Sequence, residues 1–200
     1  MRMGTARPGA DAGDVDRILA NVRFGGRRAT PPALAVLVGL PGSGKSRVAG
    51  ALRDRTDAVV LESDALRRLL VQRPSYSSAE SRRLFAAIHT AIERLLADGR
   101  SLVLDATNLA EAERVPLYKL AADQRARLIL IRVSAPDAVV RSRLARREMG
   151  EETSLEAGTE IYERMLASAE EIQRPHYTVD TSQDMEAVLA AIAKEMLGRG

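Results

Sequence analysis

The sequence predicts an α/β fold: one parallel sheet of five strands, covered by helices on both faces. Three observations carry this expectation. Five short apolar runs alternate with segments of helical spacing, the pattern that strand–helix–strand connections produce. The leading run is apolar throughout rather than alternating, as a strand buried on both faces is. The chain has 200 residues and 46% apolar content, enough for one domain with a full core.

Met1 to Ala12 is rich in glycine, proline and arginine and is expected to be loose. Asp14 to Val22 can form a short helix, with Ile18, Leu19 and Val22 on one side, and Phe24 to Arg28 reads as a linker. Residues 1–30 therefore read as a flexible segment with a possible short helix, and residues 31–200 as the folded domain. Within that domain Leu34 to Val38 is the first strand, and a helix over about Lys45 to Arg53 follows a glycine loop. Ala58 to Leu61 is a second strand, followed by helical spacing over Asp64 to Val71. A loop at Arg73 to Ser78 leads to a long helix over Ala79 to Ala97, with Leu84, Ile88, Ile92 and Leu95 on one face. Asp98-Gly99 stops it, and Leu102 to Leu104 is the third strand. Glu111 to Asp123 is helical, Leu128 to Val133 is a strand, and Pro136 opens another helix at a position proline tolerates. Gly150 to Gly158 is a polar break, and Thr159 to Gln173 is helical. Tyr177 to Val179 is a last strand, and Asp184 to Leu197 a closing helix.

The glycine loop is the most specific feature. Gly39-Leu40-Pro41-Gly42-Ser43-Gly44-Lys45-Ser46 matches G-x-x-x-x-G-K-[ST], with a strand before it and a helix after it. Glycines let the backbone turn so that successive N–H groups surround phosphate oxygens. The following helix offers its N-terminus, where unpaired N–H groups and the macrodipole favour anions. Lys45 places a positive charge on the β- and γ-phosphates, and Ser46 offers a hydroxyl to Mg²⁺. ATP and Mg²⁺ are the expected ligands.

Ligands of open α/β sheets sit at the carboxyl ends of strands. After the second strand come Asp64 and Arg67, three apart at a helix start, so both can face one crevice. Asp64 is a candidate general base, and Arg67 a candidate contact for an anionic acceptor; Asp64 is also expected to cap its helix. Arg68 and Arg73 extend the expected basic crevice. After the third strand comes Asp105-Ala106-Thr107-Asn108, whose Asp105 stands where a Mg²⁺-linked carboxylate belongs. Arg143 and Arg147 share one helical face and are candidate lid arginines for the charge that spreads during phosphoryl transfer.

Taken in order, the glycine loop, Ser63-Asp64-x-x-Arg67, Asp105-x-Thr107-Asn108 and Arg143-x-x-x-Arg147 resemble the polynucleotide-kinase-like branch of P-loop kinases, often labelled an AAA-type ATPase domain. The resemblance covers about Leu34 to Ala193. It implies a three-layer P-loop NTPase fold with strand order 2-3-1-4-5. It implies Asp64 as base, Arg67 on the acceptor phosphate, Asp105 as support for the metal network, and Arg143 and Arg147 as lid arginines. The branch is also similar to zeta-type toxins, chloramphenicol phosphotransferase, and gluconate and adenylylsulfate kinases, so the acceptor does not carry over. Nothing in the chain matches the phosphatase domain that accompanies many end-healing kinases.

Composition narrows the remaining choices. With no cysteine, thiolate metal sites and thiol nucleophiles are excluded. Two histidines distant in sequence make no metal site. A net charge of +3 is no nucleic-acid footprint, and 3% aromatic residues give little for stacking single-stranded bases. No apolar run reaches the ~18 residues needed to span a bilayer, so no membrane association is expected and the cytoplasm is the default location; no obligate protein partner is evident in the sequence. The expected activity is transfer of the γ-phosphoryl group of ATP to a hydroxyl, on a nucleic-acid 5′ end or a small molecule. The alternatives are a nucleotide-binding module or regulatory ATPase without an acceptor, and a zeta-type toxin kinase.

Overall fold

The structure, a computed structural model, describes residues 11–23, 28–148 and 162–199. Five strands form one sheet: β1 (Ala33–Val38), β2 (Val59–Glu62), β3 (Leu102–Asp105), β4 (Arg127–Ser134) and β5 (Tyr177–Asp180). Their order is β2-β3-β1-β4-β5, and every neighbouring pair is parallel. The helices are α1 (Ala12–Asn21), α2 (Lys45–Thr56), α3 (Ser63–Leu70), α4 (Ser78–Ala97), α5 (Glu111–Asp123), α6 (Asp137–Glu148), a short stretch at 162–167 (α7), and α8 (Glu186–Met196). This is the three-layer α/β fold of P-loop NTPases. Among the described residues no helix is long and apolar enough to cross a membrane.

Strand geometry explains the unbroken apolar run of β1. Successive side chains point to opposite faces. Leu34, Val36 and Val38 join the layer of α1, α3, α4 and α5, whereas Ala33, Ala35 and Leu37 join that of α2 and α8. Both faces are covered, so neither set is polar.

α1 starts at Ala12, two residues earlier than its apolar spacing suggests, because the Asp11 carboxylate accepts the Gly13 N–H at 2.8 Å. Its Val15 and Ile18 are fully buried in the core. Asp14 is buried too and accepts two hydrogen bonds from Arg83 of α4, at 2.6 and 2.8 Å. Residues 12–21 are therefore anchored to the domain by a helix some 70 positions away in sequence. Residues 1–10 and 24–27, which include most of the expected loose segment and linker, lie outside the described residues.

The helix expected over Thr159–Gln173 needs correction. Helical backbone ends at residue 167, and 169–173 are extended or irregular; 159–161 lie outside the described residues. Arg114 of α5 gives the reason. It is fully buried, and its guanidinium donates to the Glu170 and Glu171 carbonyls at 3.3 and 3.1 Å and to those of Asn108 and Leu109 at 3.0 and 2.6 Å. The Glu170 N–H in turn donates to the Leu109 carbonyl at 3.1 Å. These backbone groups satisfy one another across two segments instead of within a helix.

Candidate active site

The glycine loop has the conformation its sequence demands. β4 passes so close to Gly39 that a Cβ there would collide with the Val133 carbonyl oxygen. Gly44 sits at φ +96°, and a Cβ there would meet Thr181 at 2.9 Å. α2 begins at the next residue, and no side chain caps its N-terminus. The positive end of the helix dipole therefore faces the cleft beside the loop without a protein counter-charge on its cap. Lys45 Nζ curls back over the loop to donate to the Leu40 carbonyl at 2.9 Å.

That loop opens on a cleft of about 820 Å³ whose lining includes Gly42, Gly44, Lys45 and Ser46 together with Asp64, Arg67 and Asp105. Parallel strands deliver these residues from the ends of β1, β2 and β3 to one edge of the sheet. Asp64 is exposed in the first turn of α3, and among the described residues no hydrogen bond or ion pair engages its carboxylate. The expectation that it caps α3 is corrected: Glu62 holds the cap position, and Asp64 lies inside the helix. Asp105 is buried at the end of β3, in register with Glu62 of β2, so two carboxylates stand side by side on the cleft floor.

Arg67 is not a free cation. Its guanidinium is buried and pairs with Glu80, donates to Ser81 Oγ at 3.3 Å, and lies 4.7 Å from the centre of the Tyr76 ring. Glu80 also accepts from the Ser75 N–H at 2.7 Å and the Ser75 hydroxyl at 2.8 Å. The Ser75 N–H first and the Arg67 guanidinium second pull the Glu80 carboxyl down to about 2. Arg68 and Arg73 are exposed and do not line the cleft, so the expected crevice of three arginines is corrected to one, already neutralised. A pH series follows from this pair. Glu80 is ionised in the folded protein at pH values where an unfolded glutamate, near 4.5, is protonated. Its stabilising contribution is fully present above about pH 4.5 and is lost as pH falls toward about 2. Melts of wild type and Glu80→Gln should differ by a constant amount near neutrality and converge in acid; a difference independent of pH would contradict the pairing.

Behind the loop, Arg143 reaches from α6 to donate to Thr181 Oγ1 at 2.7 Å, the Thr181 carbonyl at 3.2 Å and the Gly42 carbonyl at 3.3 Å. Thr181, buried just past β5, passes the chain on: its hydroxyl donates to the Ser43 carbonyl at 2.7 Å. Two loop carbonyls are thus held from outside. Thr181→Val keeps the shape and deletes the hydroxyl. We expect it to weaken ATP binding severalfold while the melting temperature moves little; an unchanged ATP affinity, read by calorimetry, would show that the loop holds its shape without this brace.

On the other side, Gly39, Leu40 and Ser43 border a second cavity of about 430 Å³ shared with Tyr162 and His176. Asn108, within the expected Asp-x-Thr-Asn element, sits at φ +48° and donates to the Leu37 carbonyl at 2.8 Å, while the Gly39 N–H donates to the Thr107 carbonyl at 3.0 Å. The element therefore fastens the entry of the loop, and does not cap α5, whose cap position is Ala110.

Of the sequence-derived candidates, the structure brings Lys45, Ser46, Asp64, Arg67 and Asp105 to one cleft and sets Arg143 against the loop's outer rim. The Arg147 side chain lies outside the described residues. Sequence reasoning missed Glu62, Thr181, Arg82 and Arg164. Glu62 closes β2 and Thr181 follows β5, so the strand-end rule applied to every strand would have found them. Arg82 and Arg164 are two among many arginines, and nothing in their spacing marks them.

Known proteins place this geometry in context. A family model described as an AAA domain matches residues 34–172. Among solved structures, the APS kinase CysC of Mycobacterium tuberculosis, in complex with AMPPNP and APS, superposes with TM-score 0.60 at 20% identity, covering 84% of this chain and 98% of its own. Kti12 of Chaetomium thermophilum in complex with ADP-AlF3 gives 0.63 at 21%, covering 82% and 96%. A gluconokinase from Sinorhizobium meliloti 1021 gives 0.55 at 23%, covering 86% and 92%. At these identities the likeness is one of fold. No curated protein matches the chain in sequence. The family match runs over strands β1 to β4, the loop and the cleft residues, well over half of the chain, and on that ground the chain belongs to the AAA domain family.

Proposed function

We propose that this protein is an ATP-dependent kinase of the polynucleotide-kinase-like branch that moves the γ-phosphoryl group of ATP onto a hydroxyl acceptor. The acceptor is a small molecule or a nucleic-acid 5′ end. One observation carries the reading: an unengaged carboxylate, Asp64, shares a cleft with the phosphate loop. A nucleotide-binding module needs the loop but has no use for a base beside it.

Each residue then has a task. The uncapped α2 N-terminus and Lys45 hold the β- and γ-phosphates. Asp64 takes the proton of the acceptor hydroxyl as its oxygen bonds to the γ-phosphorus and the bond to the β-bridging oxygen breaks, releasing ADP. Ser46, with Asp105 and Glu62 at the strand ends, would hold Mg²⁺, which supplies charge neutralisation on the phosphates. The donor set suits that ion, since hydroxyl and carboxylate oxygens are what it prefers. Arg143 reaches the loop from the helix that leads toward Arg147, and the two are assigned to the transferring group once ATP is bound. The absence of cysteine suits a reducing cytoplasm.

ADP formation, followed with and without candidate acceptors, tests the assignment. A kinase shows ADP release that rises with acceptor concentration and saturates. An ATP turnover indifferent to every acceptor would instead support a regulatory ATPase.

A further inference from the structure

The acceptor half of the cleft carries a charge pattern that the loop and Asp64 do not explain. Arg67, the arginine that the family resemblance assigns to the acceptor, has its charge met by Glu80 within the protein. Glu80 stays ionised well below neutral pH, so that neutralisation persists under working conditions. Two other arginines line the same cleft: Arg82 on α4 and Arg164 on α7. Both are exposed, and among the described residues neither guanidinium has a hydrogen bond or ion pair. The carboxylates of the cleft do not answer them. Glu62, Asp64 and Asp105 stand at the ends of β2 and β3 and the start of α3, and Glu113 is turned onto the Ala110 N–H at 3.2 Å.

We infer that Arg82 and Arg164 form an oxyanion subsite, and that the phosphoryl acceptor is a small hydroxyl compound that also bears a phosphate, sulfate or carboxylate group. This rests on the kinase reading above and names its substrate class. Two planar guanidinium forks lining one cleft suit oxyanions, which they bind through paired N–H donors. A cleft of about 820 Å³ that must also admit the γ-phosphate suits a compact acceptor rather than a long strand. Holding the anion on these arginines fixes the hydroxyl of the same molecule relative to Asp64 and the γ-phosphate. Arg67 serves this subsite indirectly, by fixing Glu80 and Ser81 at the start of α4, the helix that carries Arg82.

The test uses the full chain loaded with saturating AMP-PNP and Mg²⁺, so that the phosphate loop is filled. Inorganic phosphate is titrated in and its binding read from the broadening of its phosphorus NMR signal. Sulfate and acetate are then run as competitors, to tell a tetrahedral from a carboxylate group. Phosphate should bind saturably in the millimolar range. Arg82→Gln and Arg164→Gln should each weaken it severalfold, and the double variant should abolish it. Arg94→Gln, whose native guanidinium is held by Asp16 at 3.0 Å, should change nothing. AMP-PNP affinity should be equal in all of them. Two results would overturn the inference and leave the kinase reading intact: no saturable phosphate binding to the nucleotide-loaded protein, or phosphate binding indifferent to both substitutions. A loss of AMP-PNP affinity matching the loss of phosphate affinity would move the arginines to the nucleotide and also overturn it. Failure of wild type to bind AMP-PNP would remove the kinase reading itself, and the inference with it.

Discussion

Lys45→Ala is expected to abolish phosphoryl transfer while leaving the fold in place. Among the described residues the ammonium is the only lysine charge on the cleft, and it donates a hydrogen bond to the Leu40 carbonyl across the loop. When phosphates enter, that bond exchanges for contacts to β- and γ-oxygens, where charge accumulates as the γ-group moves. Removing one such preorganised donor costs about 10²–10³-fold in kcat in comparable sites. Lys45 also helps bind the ground state, so ATP affinity should fall with it. Stability should barely move, because the side chain is half-buried and packs into neither hydrophobic cluster. Wild-type turnover by this variant would remove the loop from the mechanism.

Asp64→Asn is expected to separate chemistry from binding. Asn has the same shape and cannot accept the hydroxyl proton. Asp64 caps nothing and is held by no partner among the described residues, so the substitution breaks no native bond. The loss of a general base is expected to lower kcat by ~10²–10⁴-fold. ATP affinity, measured by calorimetry on the same sample, should be unchanged, because the phosphates are held by α2 and Lys45. A kcat equal to wild type would leave Asp64 as a surface helix residue.

The phosphate loop was legible because its physics is local: glycine placement, a strand before it and a helix after it all lie within a few residues. Strand ends were legible for the same reason, and they located Asp64 and Asp105. What the sequence hid is long-range. Nothing around Arg67 signals that Glu80, thirteen residues on, neutralises it. Nothing around Thr159–Gln173 signals that buried Arg114, on another helix, claims the Glu170 and Glu171 carbonyls. Thr181 and the loop meet only because β5 ends beside β4, across a separation of 138 residues. In an arginine-rich chain, charge spacing alone cannot sort a paired guanidinium from one facing the cleft; burial and partners do that.

Transfer to an acceptor requires one cleft to hold both the γ-phosphate and the base that activates the hydroxyl. The most direct measurement is a single-turnover transfer from ATP radiolabelled on its γ-phosphate, run over 5′-hydroxyl oligonucleotides, nucleosides, sugars, antibiotics and their phosphorylated forms, with wild type and Asp64→Asn side by side. Label is expected to move to a hydroxyl acceptor in wild type and to stay on ATP in the variant, although both bind ATP equally. Label released only as inorganic phosphate by wild type, or transferred equally well by Asp64→Asn, would contradict it.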